Sequence, residues 1–155
     1  MNLEIYLTGK VKTKFILEGV EQYLKWIRPY HKIKITSFPL AGSTSANRDQ
    51  IKKKEGERYL KALQNEKNVV VLHERGEELS SMEFATFIKK WQNSGTRKLI
   101  FIIGGPLGFS DNVLSQNWKK LSLSRMTFTH EMALLVLLEQ LYRAETINRG
   151  MIYHY

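Results

Sequence analysis

Two short runs of apolar residues, at 69–72 and 101–103, most constrain the fold of this 155-residue chain. Both runs are uninterrupted and rich in β-branched side chains, which is typical of strands buried on both faces. Strand patterns alternate with helical patterns along the chain, and no linker or internal repeat divides it. The sequence therefore predicts one α/β domain, residues 1–155, with a mainly parallel sheet and helices on both faces.

Local patterns predict the order of the elements. Alternation at Leu3, Ile5 and Leu7 indicates a first strand, and Ile33 with Ile35 indicates a second. The small polar residues 41–47 indicate a mobile loop. Apolar spacing and cap residues predict five helices. The first covers 15–27, the second begins after a cap at Asp49, and the third runs from Ser80 or Ser81 to Gly95. A short fourth helix begins at Asp111, and the fifth covers 129–145.

The composition excludes several kinds of chemistry. The chain has no cysteine, so it has neither a disulfide nor a thiolate nucleophile. Its four histidines do not stand at metal-ligand spacing, and we expect no metal site. The first residues lack the basic start and apolar stretch of a secretion signal. The longest apolar segment, 132–138, is too short to cross a bilayer, so we expect a cytoplasmic protein with no membrane partner.

The charge balance points to an anionic partner. The chain has 24 Lys and Arg against 15 Asp and Glu, for a formal net charge of +9. A basic surface of this kind favours binding to a polyanion, most often a nucleic acid. The alternative is a charged surface that serves solubility alone.

Three loops at predicted strand ends are the candidate ligand site, because open α/β sheets usually bind ligands there. One follows residue 72, the second is the glycine-rich stretch 104–108, and the third is 121–130. The glycine stretch matches neither a dinucleotide fingerprint nor a phosphate loop. Apolar residues interleaved with hydroxyls in 121–130 suit a neutral, partly aromatic ligand held by backbone hydrogen bonds. Alternatively, these segments are an ordinary tight turn and an ordinary strand followed by a helix cap.

Several motifs together resemble a known family. They are IIGGPLG at 102–108, LSLSRMTFTH at 121–130, LYRA at 141–144 and Tyr-His at 153–154. The stretches KEGE at 54–57 and Gly-Lys at 9–10 also fit. In order and spacing they resemble the ribosomal large-subunit pseudouridine N3-methyltransferases of the SPOUT superfamily, over essentially the whole chain.

The resemblance implies a SPOUT-type domain whose C-terminal part is tied in a deep trefoil knot, a topology that general rules would not propose. It also implies a homodimer with each active site at the interface, and S-adenosylmethionine as the cofactor. By position, the cofactor contacts fall on the three strand-end loops. The implied residues are Leu72, Gly104, Gly105, Leu123, Ser124, Arg125, Met126, Thr127 and Phe128.

The implied reaction is methyl transfer to N3 of a pseudouridine in large-subunit (23S) ribosomal RNA, within the assembled ribosome. The candidate catalytic residues are Arg143, His154, Tyr153 and His130. A cation such as Arg143 would favour the deprotonated base, and His154 or His130 would relay its proton. Other roles remain open, since Arg143 could serve helix packing and a surface ion pair, and His130 could cap a helix or lie in the core.

Lysines are the candidate RNA contacts, binding phosphates without reading sequence. They are Lys10, Lys12, Lys14, Lys52, Lys53 and Lys54. The chain departs from the family pattern at two positions, where Thr129 replaces a common proline and Leu134 a common arginine. Leu134 is the best support for one alternative, a SPOUT methyltransferase of another RNA such as tRNA. The other alternative is a non-catalytic basic module that binds RNA or the ribosome.

Overall fold

Five parallel strands form one sheet in the computed structural model, which describes residues 1–42 and 47–154. The strands are β1 (Asn2–Thr8), β2 (Lys32–Phe38), β3 (Val69–Glu78), β4 (Lys98–Ile103) and β5 (Lys119–Ser122). The helices are α1 (Lys14–Ile27), α2 (Arg48–Ala62), α3 (Ser81–Asn93), α4 (Asp111–Leu114) and α5 (His130–Asn148). The order across the sheet is β2-β1-β4-β3-β5, with every pair parallel. This confirms the predicted α/β fold with a parallel sheet.

Helices cover both faces of the sheet, as predicted. Successive strand residues point to opposite faces, so Val70 and Leu72 pack against α1, α3 and α5, whereas Val69 and Val71 pack against α2 and α4. The uninterrupted apolar runs are thereby explained, because every side chain in them is buried. The trefoil knot stays a prediction, since strand order alone does not record whether a segment passes through a loop.

The predicted elements differ from the structure mainly at their ends. The side chain of Asn47, not Asp49, accepts the first backbone N–H groups of α2, and Asp49 lies in the first turn. Ser80 caps α3 in a reciprocal pair with Glu83. Of the loop predicted at 41–47, residues 43–46 lie outside the described residues. β3 runs to Glu78, six residues beyond the apolar run that predicted it.

Close packing of α2 fixes the carboxyl ends of β1 and β4. The buried hydroxyl of Tyr59 donates to Ile103 O at 2.6 Å and lies 2.7 Å from the Thr8 hydroxyl. Burial raises the pKa of Tyr59, so this hydroxyl stays protonated. At Gly56 a Cβ would lie 2.6 Å from Asn112 Oδ1, so glycine lets α4 approach α2. These contacts hold the glycine-rich loop after β4 in place.

No helix within residues 1–42 or 47–154 is long and apolar enough to span a membrane.

Candidate active site

A cavity of about 780 Å³ opens at the carboxyl ends of β3 and β4, beside the start of α5. Its size suits a ligand of nucleoside dimensions. The cavity walls include eight of the nine residues predicted to contact the cofactor. These are Leu72, Gly104, Gly105, Leu123, Ser124, Met126, Thr127 and Phe128. Arg125 is the exception, because its side chain is 85% exposed and faces Glu78 at 3.5 Å, outside the cavity.

The glycine-rich loop forms one wall from backbone. Gly108 N donates to Gly105 O at 2.9 Å, and Gly108 has a φ of +79°, which favours glycine. A Cβ on Gly104 would lie 3.2 Å from the backbone of Gly108, and one on Gly105 would lie 3.0 Å from Thr8. The loop is therefore a tight turn, and it also presents peptide groups to the cavity without side chains in the way.

The segment 123–128 forms the opposite wall and is held by short-range hydrogen bonds. Ser122 Oγ donates to Ser124 O at 2.9 Å, and Met126 N donates to Ser124 Oγ at 2.9 Å. Thr127 Oγ1 donates to Glu74 Oε2 at 2.6 Å. Met126 is 77% exposed and Phe128 is 36% exposed, so apolar surface faces an incoming ligand at this wall.

Sequence reasoning missed a bulge in β3 that brings two further residues into the cavity. Leu72 and Glu77 both pair with Leu121 of β5, so residues 73–76 form an excursion from the sheet. His73 and Glu74 line the cavity from this excursion, and Arg75 N donates to His73 Nδ1 at 3.1 Å. The available signal was Gly76, because an isolated glycine inside a strand pattern often marks a bulge.

The electrostatic surroundings of His73 are basic. Burial lowers the pKa of His73, and the nearby charges of Arg75, Lys120 and Lys52 act in the same direction, against Glu74. The Lys52 predicted as an RNA contact is thus close to the cavity, together with two cations that sequence reasoning did not single out.

His130 is the first residue of α5 and lines the cavity. Its Nε2 lies 3.2 Å from Lys10 O, and since a carbonyl only accepts, Nε2 carries the hydrogen. In the neutral ring Nδ1 is then a proton acceptor. The helix cap is Thr129, whose hydroxyl accepts from Met132 N at 3.2 Å, so the capping role considered for His130 is wrong.

The other three candidate catalytic residues cluster at the far end of α5. Arg143 Nη1 donates to His154 Nδ1 at 3.1 Å, and the guanidinium lies 4.8 Å from the centre of the Tyr153 ring. Glu139 pairs with Arg143, and this hydrogen bond raises the pKa of Arg143. Burial raises the pKa of Tyr153, and the hydrogen bonds that its hydroxyl donates to Tyr23 and Glu139 raise it further. Arg143 thus forms an ion pair with Glu139 and stacks on Tyr153, and its role in catalysis stays a prediction.

Within one chain the two groups of candidate residues are far apart. His130 and Arg143 are separated by 13 residues of a continuous helix, or about 20 Å along its axis. Arg143, Tyr153 and His154 are absent from the cavity walls. One chain thus holds the cavity and the C-terminal cluster at opposite ends of α5.

The backbones of two predicted RNA contacts touch residues that line the cavity, Lys10 at His130 and Lys12 at Glu131. Lys10, Lys12 and Lys14 are exposed in and after the loop between β1 and α1, beside His130. On α2, Lys53 and Lys54 are exposed, and Lys52 is half-buried. Leu134 is 1% exposed in the core, so no cation stands where the family commonly has arginine.

Within the described ranges, no group of three or more His, Cys, Asp or Glu residues could hold a metal ion.

The chain matches the family model described as "Predicted SPOUT methyltransferase" over residues 1–154. Proteins named "Ribosomal RNA large subunit methyltransferase H" are similar along their whole length. That of Symbiobacterium thermophilum is 44% identical over 99% of both chains, and that of Geotalea daltonii is 40% identical over 100% of both. A solved methyltransferase from Legionella pneumophila, in complex with its cofactor SAM, is 15% identical with a TM-score of 0.47, covering 92% of this chain and 66% of its own. That last similarity is too low to bear on the site.

Proposed function

Since the chain belongs to the SPOUT methyltransferase family, we propose that it methylates N3 of a pseudouridine in large-subunit ribosomal RNA, with S-adenosylmethionine as donor. The observation that carries this proposal is the cavity at the strand ends, whose walls are the segments that the resemblance marks as cofactor contacts. Full-length relatives named as large-subunit ribosomal RNA methyltransferases support the choice of RNA.

The cavity fits the cofactor in chemistry as well as in size. Peptide groups of the glycine-rich loop can bind the polar edge of an adenine, and Leu72 and Phe128 offer apolar contact to its faces. When bound, S-adenosylmethionine supplies a methyl group that its sulfonium already activates, so the reaction needs no metal. The protein then has to align the base, exclude water and remove one proton.

Removal of the N3 proton requires an acceptor near the base. His130 is suited to this role, because its Nε2 is engaged with Lys10 O and its Nδ1 can accept. A guanidinium beside the base would stabilise the deprotonated form, as a positive charge does for any weak acid. Arg143 is held for such a contact by Glu139 and by stacking on Tyr153.

The proton acceptor and the guanidinium can lie beside the same base only if two chains share a site. The C-terminal cluster of one chain cannot reach its own cavity, which lies about 20 Å away along α5. In a homodimer the cluster of one protomer would complete the cavity of the other. Exposed apolar residues beside the cluster, including Trp26, Met151 and the 91% exposed Ile152, supply surface for such an interface.

The assembled ribosome is the proposed substrate particle, which places the reaction in the cytoplasm. The exposed lysines around the cavity would bind phosphates of the RNA without distinguishing its sequence. Selection of one nucleotide would then depend on the shape of the ribosomal surface.

The proposal is tested by methyl transfer from labelled S-adenosylmethionine to intact ribosomes, separated subunits and naked ribosomal RNA, all from a strain lacking this protein. We expect label at a pseudouridine of the large-subunit RNA, and only in the assembled particle. Arg143→Ala should abolish transfer, whereas Arg97→Ala, a matched change at an exposed arginine outside the site, should not. The position of the label is read by nuclease mapping.

Two other outcomes would contradict the proposal in different ways. Cofactor binding without label in any ribosomal substrate would indicate a methyltransferase of another RNA, such as tRNA. Absence of cofactor binding would leave a basic module that binds RNA or the ribosome.

A further inference from the structure

Two carboxylates line the cavity, Glu74 and Glu131, and they differ in what they already bind. Both oxygens of Glu131 are occupied. Oε1 accepts from Lys12 N and from Thr13 N, and Oε2 accepts from the Thr13 hydroxyl. These bonds lower the pKa of Glu131 and fasten the start of α5 to the start of α1. Glu131 therefore has a structural partner for each oxygen and little left for a ligand.

Glu74 is engaged on one side only. Its Oε2 accepts from Thr127 Oγ1 at 2.6 Å, which places the carboxylate against the wall formed by 123–128. Within residues 1–42 and 47–154, Oε1 has no hydrogen-bond partner and no cation forms a salt bridge with Glu74. The β3 bulge puts this side chain there, since Glu74 belongs to the four residues that leave the sheet. A carboxylate oxygen is thus available at the rim of the cavity.

The surroundings of this carboxylate would otherwise repel a cation. Lys52, Arg75 and Lys120 lie near His73 on the same side of the cavity, and the chain as a whole has a charge of +9. A field of this sign attracts RNA but disfavours a positively charged small molecule. A negative charge in the cavity wall would make the electrostatic potential favourable to a cation at that point. Glu74 can supply this charge, because both oxygens of the other carboxylate in the wall, Glu131, are already bonded.

We propose that Glu74 binds the sulfonium of the methyl donor and makes the cavity prefer the cationic donor to its neutral product. This inference rests on the proposed function. Transfer forms a carbon–nitrogen bond at N3 and breaks the carbon–sulfur bond, whose electron pair stays on sulfur, while the N3 proton passes to a base. The sulfur loses its positive charge in that step, so its attraction to Glu74 is lost as well. Glu74 thereby weakens product binding relative to donor binding.

The test compares the affinities of S-adenosylmethionine and S-adenosylhomocysteine by calorimetry for the wild-type dimer and for Glu74→Gln. Glutamine keeps an oxygen that can accept from Thr127 and removes only the charge. We expect about tenfold weaker binding of S-adenosylmethionine and less than about twofold change for S-adenosylhomocysteine. Thr127→Val removes the hydrogen bond that places Glu74 but keeps its charge, so it should lower the preference for S-adenosylmethionine less than Glu74→Gln does. Glu78→Gln, at a carboxylate outside the cavity, should change neither.

If Glu74→Gln weakens the binding of both ligands equally, or of neither, the inference is overturned and the proposed function is left intact. Failure of the wild-type protein to bind either ligand would contradict the proposed function itself. A second measurement needs no variant. Salt screens the charges around the cavity. If attraction to Glu74 dominates, added salt should lower the preference of the wild-type protein for S-adenosylmethionine over S-adenosylhomocysteine. If repulsion by the surrounding cations dominates, added salt should raise that preference.

Discussion

At Gly76 the backbone of β3 comes so close to β5 that no side chain fits between them. A Cβ there would lie 2.7 Å from the backbone of Leu121 and of Lys120. Gly76→Ala should therefore shift the bulge and lower the free energy of unfolding by about 1–3 kcal/mol. Urea unfolding measures the loss.

Gly19→Ala is the matched control for that change. Its Cβ would meet Leu135 Cδ1 at 2.8 Å, but this is the end of a flexible side chain that can rotate away. Alanine also favours the helical backbone of α1 by up to about 1 kcal/mol. We expect Gly19→Ala to be neutral or stabilising, and equal losses in the two variants would contradict the role assigned to the β5 backbone.

The buried pair of His31 and Glu145 makes a pH-dependent contribution to stability. His31 Nε2 lies 2.7 Å from Glu145 Oε2, and Arg149 binds the other carboxylate oxygen. Burial alone would raise the pKa of Glu145, but these hydrogen bonds outweigh it and lower the pKa to about 2. Because the folded pKa lies below the ordinary value, the stabilisation is present above about pH 4.5 and is lost as pH falls toward 2.

Glu145→Gln should remove that dependence. Between pH 6 and pH 2.5 we expect the free energy of unfolding to fall by about 2 kcal/mol more for the wild-type protein than for the variant, because glutamine has no proton to take up. Urea unfolding at both pH values gives the difference, and contributions from groups that do not contact Glu145 cancel between the two proteins. Equal losses would show that Glu145 is not the responsible group.

Among the elements, α5 does most to organise the site, because its two ends carry different groups. Its first turn supplies His130 to the cavity and Glu131 to the start of α1. Its last turns carry Arg143. The apolar pattern predicted this helix, since its buried residues recur at helical spacing and pack on the sheet. The link through Glu131 was beyond sequence reasoning, because it joins residues 118 positions apart.

Glu131→Gln tests that link. Glutamine would turn an N–H group toward donors that now face carboxylate oxygens, and it would remove a negative charge from the N-terminus of α1. We expect a loss of about 0.5–1 kcal/mol and faster hydrogen exchange at the amides of Lys12 and Thr13. Glu57→Gln on the exposed face of α2 is the control. Unchanged exchange at both amides would contradict the link.

The strands show where prediction from sequence stops. Val69–Val71 and Leu99–Ile103 are wholly buried, and burial on both faces is what makes such strands readable from hydrophobicity alone. The second half of β3 is mostly polar and exposed, and it pairs with β5 after a shift that depends on distant residues. No periodicity marks such a segment, so the sequence placed the loop after residue 72 at the site without singling out His73 and Glu74.

For the whole molecule, the sequence predicts the cavity and the distance between the two sets of candidate residues, but not the surface on which two chains would meet. Loops at the carboxyl ends of parallel strands meet by topology, which is why 104–105 and 123–128 could be expected to lie together. The separation of His130 from Arg143 follows from helix length and is equally readable from the chain. The contribution of a second copy of the chain cannot be predicted from the sequence, because an interface depends on the shape of both surfaces.

Mixing two inactive variants tests whether two chains share each site. Arg143→Ala retains the cavity, and Ala133→Trp fills the cavity from the first turn of α5 but retains the C-terminal cluster. In a mixed dimer, the intact cavity of one chain meets the intact cluster of the other. Since half of randomly mixed dimers are heterodimers with one complete site of two, we expect about a quarter of wild-type methyl transfer.

Recovery of this size cannot come from sites built within single chains, because every chain in the mixture carries one defect. The control is each variant alone at the same total concentration, and differently tagged chains confirm that mixed dimers form. If mixed dimers form and transfer stays at the level of the separate variants, the cavity and the C-terminal cluster do not act together across the interface. The cation that stabilises the deprotonated base must then come from nearer the cavity, where Arg75 and Lys52 lie beside His73.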